Sequence, residues 1–257
     1  MNKQINDSLD IKITGEILAQ SFPKRQGGTS FTTFLQTKKG QFVWKVATEL
    51  PYREWLKKEA EVMELLNKET ELPIPLFMHY KEQPEENSLL MSKLEGVPLR
   101  EALHDANSIE EKRSLFLSFG TLLKLLHTTR PPGALLTKNI WLEKQLHTAA
   151  YNVKHYKVDG NEELLTYLKL NQPKPIPQTL IHGDCTIDNV LVKDGMVYAF
   201  IDLAGVAHGD PRYDLALATR SIQSNPLLVE AFYEGYDSTP ISIEEFKYFD
   251  GGLYEFF

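Results

Sequence analysis

His182-Gly183-Asp184-Cys185-Thr186-Ile187-Asp188-Asn189-Val190-Leu191-Val192 leads through Asp194-Gly195 into Val197-Tyr198-Ala199-Phe200-Ile201-Asp202. A carboxylate at 184 precedes an amide at 189, in a loop between short apolar runs. The two runs after Asn189 flank a polar turn and read as a hairpin. Its return strand ends at Asp202 and brings that carboxylate back beside Asn189. Asn189 and Asp202 then offer hard oxygen ligands, the type Mg²⁺ prefers. Asp184 stands close by, suited to orient an attacking hydroxyl and accept its proton.

Before this stretch, three prolines, Pro173, Pro175 and Pro177, mark an extended linker. Upstream again, Glu110–His127, Ile140–Tyr156 and Glu162–Leu170 have helical patterning, as do Asp214–Gln223, Leu227–Tyr236 and Ile243–Tyr254 downstream. The first ninety residues differ in character. Ile11–Ile17 alternates as a strand does, Lys24–Ser30 is a turn, and Phe31–Thr37 and Phe42–Ala47 form a hairpin about Lys38–Gln41. Tyr52–Asn67 is helical, with Trp55, Val62, Leu65 and Leu66 on one face. Met78–Tyr80 and Leu89–Met91 form another hairpin. The expected fold class is α+β, with a sheet-rich lobe over 1–91, a connecting segment over 92–96 and a mostly helical lobe over 97–257.

The chain has 257 residues, enough for one or two domains with large cores. A net charge of −7 argues against a sequence-independent nucleic-acid binder. One cysteine excludes an internal disulfide framework and a cysteine-rich zinc site. The most apolar stretch, Leu115–Leu126, is broken by Ser118, Gly120 and Lys124 and falls short of a membrane span. Met1–Ile17 has no apolar core of the kind a signal peptide needs. The expectation is a cytoplasmic protein with neither nucleic acid nor membrane as partner. The acidity gathers near the end, in Glu230, Glu234, Asp237, Glu244, Glu245, Asp250 and Glu255. That cluster reads either as a solvated helix surface or as a site for a cationic ligand.

The Asp-x-x-x-x-Asn, hairpin, Asp pattern is that of the catalytic half of a protein kinase-like phosphotransferase. Gly183 stands where protein kinases carry Arg, and Leu203-Ala204-Gly205 where they carry Phe-Gly. With His182-Gly183-Asp184 and Asp210-Pro-Arg-Tyr-Asp214-Leu-Ala, the sequence resembles the aminoglycoside phosphotransferase family. These are kinase-like enzymes that act on small molecules. Its length, Arg220-Ser-Ile and a tail ending in an acid and Phe are similar to the aminoglycoside 3′-phosphotransferases in particular.

The resemblance implies a bilobal kinase-like fold with a small antiparallel-sheet lobe carrying one main helix. It implies ATP or GTP as co-substrate, Mg²⁺ held by Asn189 and Asp202, and Asp184 as the catalytic acid–base group. Lys45 takes the place of the phosphate-contacting lysine, with Glu59 its ion-pair partner by the family's spacing and Glu61 the competing choice. Gly27, Gly28 and Thr29 occupy the phosphate-covering loop. Met91, Ser92 and Leu94 fall where the base is held, with Val43 where antibiotic kinases can carry an aromatic ring. His182 and Asp214 support the catalytic loop. On the acceptor side the resemblance implies Arg220, Glu255 and the Phe257 carboxylate, with Asp159 a partial substitute for an acid-rich insert. Tyr254 stands where the resistance enzymes have an acid. The implied reaction moves a γ-phosphate to a small-molecule hydroxyl, on an amino sugar or on another alcohol.

Overall fold

The structure is a computed structural model that describes residues 11–136 and 140–257. The part of the N-terminal reading that falls on residues 1–10 lies outside the described residues. The chain divides into two compact units, one of residues 1–95 with 202–204 and one of 96–201 with 205–257. The division thus falls at Glu95/Gly96, and the short segment Asp202–Ala204 belongs with the first unit.

The first unit begins with a short helix, α1 (Ile11–Thr14), and a five-stranded antiparallel sheet follows. Its strands are β1 (Ile17–Ser21), β2 (Phe31–Thr37), β3 (Gly40–Ala47), β4 (Phe77–Glu82) and β5 (Asn87–Ser92), in the order β1-β2-β3-β5-β4. The alternation over Ile11–Ile17 predicts a strand, but Ile11–Thr14 is helical, and the chain turns at Gly15 with φ 71° before pairing begins at Ile17. Alternation alone carries no signal for that left-handed turn, which only glycine adopts at little cost.

Successive residues of β3 point to opposite faces. Phe42 and Trp44 join Leu35 and Leu90 in a core on one face. Lys45 is therefore turned to the other. That face is covered by α2 (Leu50–Glu69), which starts with a proline in its first turn and buries Leu56, Glu59, Ala60, Val62, Met63 and Leu66. Trp55 does not share that face: it is 44% exposed, on the ridge beside Tyr52. The buried ridge is instead set by Leu56, Met63 and Leu66, a spacing of one turn and more.

The second unit carries β6 (Val97–Pro98), α3 (Leu99–Asp105), α4 (Ile109–Thr128), α5 (Trp141–His155) and α6 (Glu162–Leu170). Then come β7 (Thr179–Ile181), β8 (Val190–Lys193), β9 (Met196–Phe200) and β10 (Ala207–Gly209). Helices α7 (Pro211–Thr219), α8 (Pro226–Tyr236) and α9 (Ile243–Phe249) follow, and a 3₁₀ turn at Leu253–Phe256 ends the chain. The predicted helices over Asp214–Gln223 and Ile243–Tyr254 are each broken into an α-helix and a 3₁₀ turn. Helices α4 and α8 pack backbone to backbone, because a Cβ at Gly120 or Gly235 would strike Phe232 O or Leu117 O. A second core joins Trp141, Leu146, Leu168, Tyr213, Phe249 and Phe256, tying the C-terminal turn to α5, α6 and α7. The α+β class and the kinase-like architecture read from the sequence are those of the structure.

Candidate active site

Residues 182–189 form the loop between β7 and β8. The β8–β9 hairpin turns at Asp194 (φ 51°) and Gly195 (φ 76°), two left-handed residues that suit a tight turn. Its register pairs Val190 with Phe200, and the Ile201 N–H donates to Asn189 O at 2.9 Å. Asp202 is the next residue, at φ 62°.

The loop is held from behind by Asp214 of α7, which is fully buried. Its Oδ2 accepts the His182 N–H at 2.6 Å and its Oδ1 accepts the Gly183 N–H at 2.9 Å. His127 Nε2 lies 3.2 Å from Asp214 Oδ2, and His127 Nδ1 lies 2.8 Å from the Tyr236 hydroxyl. This Tyr236–His127–Asp214 chain satisfies a buried carboxylate that would otherwise be costly. The sequence reading missed His127 and Tyr236, which are remote in the chain and match no motif.

The His182 ring is also fully buried. Its Nδ1 accepts the Asp184 N–H at 3.2 Å, so Nε2 is the nitrogen that donates, to Ile201 O at 3.0 Å. His182 thus ties the start of the loop to the end of the hairpin. Gly183 has φ 78°, and a Cβ there would strike Gly205 O. That close approach is the physical reason a glycine stands where protein kinases carry Arg.

Asn189 orients Asp184. Its Nδ2 donates to Asp184 Oδ2 at 2.7 Å and to Asp184 O at 2.8 Å. With the amide nitrogen so engaged, the Asn189 side-chain oxygen is the atom left to accept. On its other side, Asp184 Oδ1 accepts the Tyr254 hydroxyl at 3.2 Å. Cys185 is buried, which pushes its thiol up, away from nucleophilic use.

In the first unit, Lys45 Nζ donates to Glu59 Oε1 at 2.7 Å and to Oε2 at 2.9 Å, and lies 3.7 Å from Asp202 Oδ1. Burial works against the charge on Lys45, but Asp202 and Glu59 outweigh it and hold the ammonium well above its usual range. Burial pushes the Glu59 carboxyl up, against the pull of Lys45. Of the two candidate partners for Lys45, Glu59 makes the contact and Glu61 is exposed.

Gly27 and Gly28 lie in an exposed loop between β1 and β2, with Thr29 half-buried beside them. No atom within 4 Å would meet a Cβ on either glycine, so the fold itself does not demand them. The loop is closed by Gln26, whose side chain pairs with Thr32 like a further strand residue: its amide donates to Thr32 O and accepts the Thr32 N–H, both at 2.8 Å. Met91 is buried. The Ser92 N–H is already committed to Leu76 O at 2.9 Å, and Ser92 Oγ accepts the Leu76 N–H at 2.8 Å. Of the backbone groups at Ser92, the N–H is thus engaged within the first unit. Leu94 is half-buried.

The acceptor-side candidates are more dispersed. Arg220 pairs with Asp250 at 3.0 Å and lies 4.8 Å over the Tyr254 ring. It is therefore occupied within the fold. The tail is fixed by Asn152 Nδ2 donating to Phe256 O and by the Gly160 N–H donating to Glu255 O, both at 2.8 Å. Burial, and then Asp159, push the Glu255 carboxyl up. Asp159 and Phe257 are exposed. Much of the acidic surplus near the end is already paired: Asp237 with Lys124, Glu245 with Arg212 and Asp250 with Arg220. His208 is half-buried, with Nε2 at 3.2 Å from Gln178 O.

The donor set can be weighed against Mg²⁺. Among the described residues there is no cluster of three or more His, Cys, Asp or Glu that would cage a metal. A carboxylate and an amide oxygen are hard donors, the chemical type that Mg²⁺ takes together with nucleotide phosphates and water. Among the described residues no helix is long and apolar enough to cross a membrane.

The kinase-like fold and its lysine, aspartates and asparagine belong to a phosphotransferase with an alcohol group as acceptor. A family model described as the phosphotransferase enzyme family matches residues 22–246, and the chain belongs to that family. It is 28% identical to an aminoglycoside 3′-phosphotransferase of Enterococcus faecalis over 197 residues, 70% of this chain and 72% of the relative. It is 38% identical to a homoserine kinase of Neisseria meningitidis serogroup B over 89 residues, 32% of this chain and 29% of the relative. In fold it is similar to a type VIII aminoglycoside-3′-phosphotransferase, with a TM-score of 0.77 at 22% identity, covering 98% of this chain and 99% of the other. It is also similar to an APH(3″)-Id aminoglycoside phosphotransferase of Streptomyces rimosus solved with ADP and streptomycin, with a TM-score of 0.71 at 18% identity and 91% of each chain covered.

Proposed function

We propose that this enzyme transfers the γ-phosphate of ATP or GTP to a hydroxyl of an amino sugar of the aminoglycoside class. The observation that carries the reading is the Asp184 carboxylate, aimed by the Asn189 amide and held on a loop that Asp214 and His182 fix. Asp184 accepts the proton of the acceptor hydroxyl as its oxygen bonds to the γ-phosphorus. The bond to the bridging oxygen breaks, giving a phosphate monoester and a nucleoside diphosphate. Lys45, kept charged and straight by Glu59, holds the α- and β-phosphates. The backbone at Gly27, Gly28 and Thr29 covers them, since no Cβ blocks close approach. Met91 backs the base, and the chain near Leu94 contacts it. Asn189 and Asp202 would hold Mg²⁺, which would supply neutralisation of charge on the phosphate oxygens. The chemistry is mostly positioning and electrostatics.

The amino-sugar acceptor is supported by the similarity to aminoglycoside 3′-phosphotransferases and by two acids, Asp159 and Glu255, of which Glu255 has its carboxyl pushed up by burial and then by Asp159. Charge-assisted pairs to acids suit an ammonium-bearing sugar. A second reading, a hydroxylated amino acid as acceptor, is favoured by the homoserine kinase similarity. Coupled ADP release with kanamycin, neomycin, homoserine and choline, each with ATP and with GTP, separates them. Turnover with an aminoglycoside supports the first reading. Turnover with homoserine alone replaces it with the second.

A further inference from the structure

We propose that Tyr254 is a positioning residue that stands in for the acceptor: its phenol takes up, on Asp184, the place of the incoming hydroxyl. The inference rests on the phosphotransfer reading above, in which Asp184 is the proton acceptor.

The geometry is local to the second unit. Asp184 Oδ2 faces the Asn189 amide at 2.7 Å, and Oδ1 faces the Tyr254 hydroxyl at 3.2 Å. The phenol is thus an O–H donor to the same carboxylate that an acceptor alcohol must address. Its ring is held in place by the Arg220 guanidinium 4.8 Å above it and by Tyr213, whose ring centroid lies 6.4 Å away. Arg220 is itself anchored by Asp250 at 3.0 Å. Asn152 and Gly160 pin the next two residues of the tail. Burial and the Asp184 charge keep the Tyr254 hydroxyl protonated, so that it donates and does not compete as a base.

A phosphotransferase that leaves its carboxylate open also activates water. A water that donates to Asp184 gives up its proton there and its oxygen bonds to the γ-phosphorus. The β–γ bridging bond then breaks, and nucleoside diphosphate and phosphate leave without product. A phenol seated on Oδ1 excludes that water until an acceptor hydroxyl displaces it.

The test measures acceptor-free ADP release by the full chain with ATP and Mg²⁺, comparing wild type, Tyr254→Phe, Asp184→Asn and the double variant. Tyr254→Phe is expected to release ADP several-fold faster, with its KM for ATP within twofold of wild type, and Asp184→Asn to remove the gain. Arg220→Gln, which loosens the ring and keeps the phenol, is expected to give a smaller rise in the same direction. A Tyr254→Phe rate equal to or below wild type, with an unchanged melting temperature, overturns the proposal. So does phosphate found on Tyr254 by mass spectrometry, because the phenol would then be a substrate. If neither protein releases ADP without acceptor but wild type does so with an aminoglycoside, this proposal falls alone; if both bind ATP by calorimetry and neither releases ADP with any acceptor, the phosphotransfer reading falls and takes this one with it.

Discussion

The Asn189 side-chain amide spans Asp184, donating to both its carboxylate and its backbone oxygen at 2.7 and 2.8 Å. One amide therefore fixes the direction of the proton acceptor and turns its own oxygen the other way. Two roles follow for one residue, and they can be separated. Asn189→Asp puts a second carboxylate against Asp184 and removes the donor; Asn189→Ala removes both the donor and the side-chain oxygen. Both are expected to lose about 10²–10⁴-fold in kcat, the range for loss of a positioned acid–base group. Only Asn189→Ala is expected to raise the Mg²⁺ concentration needed for half-maximal rate by more than tenfold. Metal titrations of ADP release check this, and equal Mg²⁺ requirements in the two variants would count against the second role.

Asp184 itself is expected to be dispensable for nucleotide binding. Asp184→Ala should abolish transfer while calorimetric ATP affinity stays within a few-fold of wild type. Equal turnover by the variant and the wild type would end its assignment as proton acceptor.

The Lys45–Glu59 pair is buried, with side chains 13% and 3% exposed. Removing one partner of a buried pair leaves an uncompensated charge, at a cost of about 3–5 kcal/mol. Lys45→Met is expected to destabilise the protein by that order and to raise the KM for ATP, while Lys45→Met/Glu59→Gln recovers part of the stability and none of the KM. The contribution of Lys45 is present below the unfolded lysine value and is lost only as pH rises through its raised folded value, so it is intact at neutral pH. Urea midpoints of the single and double variants measure the coupling; additive losses would show the pair is not coupled.

What could be read in advance divides by range. Asp184, Asn189 and Asp202 stand in one short stretch whose spacing mirrors a loop and a hairpin, whereas Lys45, Glu59 and Asp214 were implied only by the resemblance to a family. The helix over Glu162–Leu170 was legible because Asn161 caps it and its apolar positions recur each turn. The helical turn over Ile11–Thr14 was not, because a four-residue helix and two strand residues share the same apolar pattern. The Tyr254–Asp184 and His127–Asp214 bonds link residues 70 and 87 positions apart. No local pattern encodes such contacts; they exist only once α4, α7 and the C-terminal turn have packed. The acid-rich end was ambiguous for the same reason, since Lys124, Arg212 and Arg220 reach it from elsewhere in the chain.

Gly183 and Gly195 have nearly the same backbone angle, φ 78° and 76°, in opposite surroundings. A Cβ at Gly183 meets Gly205 O, whereas a Cβ at Gly195 meets nothing within 4 Å. Gly195→Ala is expected to cost only the left-handed backbone penalty, about 1–2 kcal/mol, with kcat unchanged. Gly183→Ala adds a clash beside Asp184, so a larger loss of stability and a fall in kcat of at least tenfold are expected. Thermal melts and ADP release measure both, and equal effects at the two sites would refute the close-approach explanation.

Arg212 joins the start of α7 to α9: its guanidinium meets Asp210 at 2.6 Å and Glu245 at 2.6 Å. Glu245 also closes a capping box with Ser242 at the start of α9. Partial burial pushes the Glu245 carboxyl up, but the Ser242 N–H and Arg212 outweigh it and hold it below its usual value. Because the folded value lies below the unfolded one, the stabilisation is present above the unfolded carboxylate range and fades as pH falls through the folded value. Glu245→Gln keeps the cap geometry and removes the charge. At pH 7 the variant is expected to be less stable by up to about 1 kcal/mol, since the pair is partly solvent-screened. At pH 3 the two proteins should approach each other in urea midpoint. A difference of the same size at both pH values would assign the effect to packing and not to the Arg212–Glu245 charge pair.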